Sequence, residues 1–164
     1  MGMQPPAGLG KVMYSLGRHW PMTDEEYLFK IGLAWMALGR DMGTAVNKSE
    51  TPAAGVWAEQ KGDGVTAFRQ AWNAGDSPQG NLRDGTTGAG VIGLGLMVLA
   101  AIVLILKINF VVQLIQLVIQ LQIAIAAAPA TMGASTARMP IIMEITGRLL
   151  DLCVTIAMNG VIGG

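Results

Sequence analysis

The chain has 164 residues, 52% of them hydrophobic and 13% charged, and its formal net charge is zero. That length holds one domain or two small ones, and the charged share is about half that of an ordinary soluble domain. A neutral chain without a basic stripe gives no electrostatic basis for nucleic acid, and a lone cysteine, Cys153, leaves no intramolecular disulfide.

The few charges are unevenly placed. After Arg83 come only Asp84, Lys107, Arg138, Glu144, Arg148 and Asp151. The first half therefore reads as soluble and the second as apolar. The opening "MGMQPPAGLGKVMYSLGRHWP" has no basic stretch leading into an apolar one, so no secretory signal peptide is expected.

In chain order, "AGLGKVMYSLGRHW" supports at most a short helix broken by glycine. Next, "TDEE" predicts a helix start. Thr23 serves as N-cap, Glu26 completes a capping box, and Asp24 and Glu25 suit the positive end of the helix dipole. Met22 is placed to staple onto Tyr27 or Leu28. Leu28, Ile31, Trp35, Leu38, Met42 and Ala45 then step by three and four, an amphipathic stripe. This helix is expected to end near Asn47. Pro52, with Thr51 as cap, is expected to begin a third helix. "KGDG" interrupts that helix, and Val65, Phe68 and Trp72 resume the spacing. Residues 1–80 thus predict a helical hairpin with an N-terminal extension, and 81–90 a Gly-rich linker.

From Val91 to Ala128 there is no proline, and no glycine after Gly95. One continuous helix of about 57 Å is expected, against an apolar membrane core of about 30 Å. The eighteen uncharged residues Ala89–Leu106 sit at the lower limit of a membrane span, and a buried core helix fits them equally. Lys107 is expected to snorkel to an interface. "TMGASTARMP" predicts a turn. A last helix follows, with Ile142, Ile145, Leu149, Leu152 and Ile156 on one stripe. Residues 91–164 thus predict an apolar helical hairpin, membrane-associated or oligomerising.

Asn109, Gln113, Gln116 and Gln120 step by four, three and four, and Glu144, Arg148, Asp151 and Thr155 do the same. Folding the two helices back at 129–139 sets Gln120 level with Arg148 and Gln116 with Asp151. The two stripes are then either solvent-facing sides of amphipathic helices, or a polar seam that lines a channel between protomers.

Catalytic chemistry finds no constellation. "GAGVIG" matches G-x-G-x-x-G, but "NLRDGTT" before it is no strand and no acid lies about 20 residues on. His19 is the sole histidine, Cys153 sits among apolar neighbours, and Glu144–Arg148 is an ordinary i,i+4 pair. No enzyme, cofactor or metal site is expected.

Two segments, "LGKVMYSLGRHWPMTDEEYLFKIGLAWMALGRDM" and "VWAEQKGDGVTAFRQAWN", resemble the WXG-like N-terminal domain of actinobacterial polymorphic toxins, substrates of type VII (ESX) secretion. The resemblance rests on Trp20-Pro21 before Asp24 and Glu25, on Trp35, and on Gly64, Ala67, Phe68 and Trp72. Trp57 is followed by Ala58 and Glu59 rather than by a Trp-x-Gly tripeptide. The resemblance implies an all-α fold that docks on helices through Trp20, Trp35, Trp57, Phe68 and Trp72. The partner would be a second copy or a small helical WXG-type protein, with lipid against the long apolar helix. It also implies secretion without a cleaved signal peptide, or residence at the cell envelope. The alternative is an oligomeric membrane channel lined by Asn109, Gln113, Gln116, Gln120, Arg148 and Asp151.

Overall fold

The computed structural model describes residues 2–162, and among them every regular element is a helix. Helix α1 is Leu9–Ser15, α2 Glu25–Glu59, α3 Asp63–Trp72, α4 Pro78–Ala127 and α5 Met139–Ile162, the last preceded by a 3-10 turn at Thr136–Arg138. The chain forms two compact units: Leu28–Val98, and the residues up to Tyr27 together with those from Leu99 onward.

Helix α2 starts one residue beyond Asp24, whose Oδ1 accepts the Tyr27 amide at 3.0 Å. Asp24, not Thr23, is therefore the cap, and that bond holds its carboxyl below the usual carboxylate range. Met22 is 90% exposed and makes no staple. The helix also passes through Asn47, Thr51 and Pro52, where a break was expected. An interior proline costs about 3 kcal/mol, but tertiary contacts on both sides hold the segment helical. Glu50 pairs with Arg83 and accepts Gln79 Nε2 at 3.0 Å, and Ala53 is buried. The break comes instead at Gly62, whose φ of 137° suits only glycine.

Within Leu28–Val98, α2 and the first part of α4 pack antiparallel, so the hairpin partner of α2 is α4 rather than α3. The expected linker 81–90 is helical throughout. On α2 the positions turned from solvent are Leu28, Gly32, Trp35, Gly39, Met42, Val46, Ser49 and Ala53, stepping by four and three. That is a seven-residue repeat, the spacing of a coiled-coil seam. Ile31 is half-buried too, but Leu38 and Ala45 from the expected stripe are exposed. Glycine allows the closest approach. A Cβ on Gly32 would stand 2.8 Å from the Gly93 carbonyl oxygen, and one on Gly93 2.7 Å from that of Gly32.

The other unit packs α1 against α4 and α5. Met13, Phe110, Leu114 and Leu150 form its core, with Leu9, Val12, Trp20, Leu106 and Cys153 around them. The α4 positions turned inward are Val103, Lys107, Phe110, Leu114, Leu117, Leu121 and Ala124, again at steps of four and three. On α5 they are Met139, Met143, Thr146, Leu150, Cys153 and Ala157. The stripe expected to be the α5 core lies one residue away, about 100° round the helix. Ile145, Leu149, Leu152 and Ile156 are between 38% and 62% exposed.

Candidate functional site

Lys107 does not snorkel. It is the charged residue of the α4 seam and is 1% exposed. Its Nζ donates to Glu25 Oε2 at 2.6 Å and to the Thr23 carbonyl at 2.7 Å. The other Glu25 oxygen accepts the Met3 amide. Burial pushes the Glu25 carboxyl up, but the bonds from Lys107 and Met3 outweigh it and leave the group below the ordinary carboxylate range.

The same strand of bonds ties down the N-terminal segment. Trp20 Nε1 donates to the Met3 carbonyl at 3.1 Å, and its ring meets Phe110 edge-on with centroids 6.5 Å apart. Arg18 Nε donates to Asp151 Oδ1 at 2.7 Å, which holds the guanidinium above its usual value. Residues 2–24 thus form a strap across α4 and α5. Of the residues expected to dock, Trp20 is spent here inside the chain, and Thr23 contributes its carbonyl.

Trp35 lies half-buried on the α2 seam. Trp57, Phe68 and Trp72 come together as a ring trio, with Phe68 5.8 Å from Trp57 and 5.7 Å from Trp72. Glu26 is exposed in the first turn of α2.

The polar seam between α4 and α5 does not form. A Cβ on Gly160 would lie 3.7 Å from Ile102 Cδ1, and Leu114 and Leu150 share one core, so the helices pair about a turn away from the expected register. Asp151 is taken by Arg18, and Arg148 by Glu144 at 2.6 Å. Asn109, Gln113, Gln116 and Gln120 each stand one residue before a seam position. They therefore flank the packed line; Gln113 is half-buried and the others exposed. Residues 88–93, "GAGVIG", are interior to α4 and form no phosphate-cradling turn.

What the second unit exposes instead is apolar. The best membrane-span window of α4 has a mean hydropathy of 2.8, and only 17% of it is buried. Its outward residues include Leu104, Ile105, Ile108, Val112, Ile115 and Ile119, each at least 40% exposed. Helix α5 turns Thr146, Gly147 and Ala157 inward beside Leu150, and Ile141, Ile145 and Ile156 outward. A water-soluble helix would turn polar residues, not isoleucines, to that outer face.

The family model for the WXG100 like domain matches residues 3–149, nearly the whole chain. The chain belongs to the WXG100-like domain family. This is a helical, generally non-enzymatic family tied to type VII secretion, whose members are secreted by that route and typically form helical dimers. No curated protein and no solved structure matches the chain. The WXG100-like assignment agrees with the all-α fold and extends past α2 and α3 to include α4 and the start of α5, in keeping with the pairing of α2 with α4.

Proposed function

We propose that this WXG100-like chain is a non-enzymatic secretion and assembly module of a polymorphic toxin of the actinobacterial type VII pathway. It docks helix-on-helix with a second copy or a small WXG-type partner, and its apolar hairpin, α4 with α5, contacts membrane lipid. The observation that carries the lipid contact is the large apolar face this unit leaves outside its core. On α5, Thr146, Gly147, Cys153 and Ala157 join Leu150 on the inward side while Ile145, Leu149, Leu152 and Ile156 face out. In water those side chains would bury; in lipid, helices associate through small residues and leave the large apolar ones outside. A core helix of a soluble protein is mostly buried, and α4 is not.

A channel lined by the amide stripe has only the exposure of Asn109, Gln116 and Gln120 in its favour. The charges meant to join that lining, Arg148 and Asp151, are each held by another side chain.

Fluorophores at single cysteines test the lipid contact. On a Cys153→Ser background, labels at position 145 or 156 should be quenched by brominated lipid, and a label at exposed position 66 should not. Equal, weak quenching at all three would overturn the reading.

A further inference from the structure

We propose that the cleft between the end of α2 and the α3–α4 turn binds a cation on an apolar stem, an alkylguanidinium or alkylammonium group. The cleft lies wholly within Leu28–Val98 and holds about 510 Å³, in the range of small-ligand sites. Trp57 and Trp72 line it, and Phe68 braces both rings. Both indoles are half-buried, and neither nitrogen has a hydrogen bond among the described residues.

The charges decide the ligand's sign. Arg83, the cation of the lining, is already paired with Glu50 Oε1, which also takes Gln79. The second Glu50 oxygen accepts nothing, and the Asp84 carboxylate on the same wall has no partner among the described residues. The cleft therefore offers two indole rings and one uncompensated negative charge. An indole face attracts a cation through its quadrupole, and a carboxylate supplies the countercharge. An anion would meet Asp84 with its own sign, and a neutral ligand would leave that charge unanswered. The volume exceeds one ammonium group and accommodates the stem that carries it.

Such a cation could be a free small molecule or an Arg or Lys side chain of a docking partner; the chemistry is shared. The residues that line the cleft are none of those offered for the lipid contact, so failure of either reading leaves the other in place. The test uses the whole chain in nonionic detergent and follows the four indole N–H signals by NMR. Butylguanidinium, butylammonium and neutral butylurea are titrated, then a helical peptide carrying one Arg and its Leu counterpart. Either butyl cation, or the Arg peptide, should move the Trp57 and Trp72 signals and leave Trp20 and Trp35 in place, with butylurea and the Leu peptide inert. Asp84→Asn, at an exposed position without a partner, should weaken binding about fivefold. A response to the free cations marks a small-ligand site, and a response to the peptide alone marks a side-chain socket. Unmoved Trp57 and Trp72 signals, or equal affinity in Asp84→Asn, would overturn the proposal.

Discussion

Lys107 and Glu25, 82 positions apart in sequence, meet at 2.6 Å in a site closed to water. The pair neutralises the sole charge of α4 beyond Asp84 and anchors the strap that carries Met3, Trp20 and Arg18. Removing one partner of a buried pair strands the other, a loss of about 3–5 kcal/mol. Glu25→Gln should therefore destabilise strongly, while Glu25→Gln with Lys107→Met should recover most of the loss. Denaturant melts in mild detergent read both; equal instability of single and double variants would contradict the pairing.

Acid should act on the same latch. The Glu25 carboxyl is depressed on folding, so its contribution is complete above the ordinary glutamate range and is lost as pH falls through the lowered value. The Asp24 carboxyl is lowered as well, through its bond from the Tyr27 amide. Protection of the strap amides, corrected for the intrinsic exchange rate, should fall once pH drops below the ordinary glutamate range, before α2 and α4 open. Protection unchanged down to full unfolding would contradict this.

The Gly32–Gly93 contact predicts opposite outcomes for similar changes. Gly32→Ala or Gly93→Ala drives a methyl into a backbone carbonyl, with a loss of about 1–3 kcal/mol. A Cβ at Gly88 or Gly95 meets nothing, so Ala there should stabilise by up to about 1 kcal/mol. Thermal melts of the four single variants decide; the same sign at all four would refute the close approach.

Much of this fold is legible in residue order. The acidic start of α2, the uninterrupted α4, the 129–139 turn and the Glu144–Arg148 pair are all visible in it. The misplaced stripes share one cause: apolar residues were taken to point inward. On α5 the isoleucines define the strongest stripe, yet Thr146, Leu150 and Cys153 make the contact. On α2 the informative positions were Gly32 and Gly39, which carry no hydrophobic signal at all. A seven-residue repeat traced through small and large residues alike locates both seams. The partners of Lys107 were out of reach, because nothing near it in sequence indicates a strap from residues 2–24. The meeting of Trp57, Phe68 and Trp72 with Asp84 likewise needs the α3–α4 turn to be built first.

The two faces of α5 should respond differently to substitution. Leu150→Ala opens a cavity at a fully buried site and should cost about 2–5 kcal/mol. Ile145→Asn and Ile156→Asn should leave helicity intact and reduce lipid binding. Circular dichroism beside vesicle binding separates the two, and a loss of fold in the outward variants with none in Leu150→Ala would reverse the assignment of faces.

Flotation with vesicles is the most direct measurement of the central claim, that lipid covers the outward face of α4 and α5. After detergent removal in the presence of vesicles, the protein should rise with the lipid and resist alkaline carbonate extraction. A monodisperse monomer, soluble without detergent and left in the bottom fraction, would contradict it.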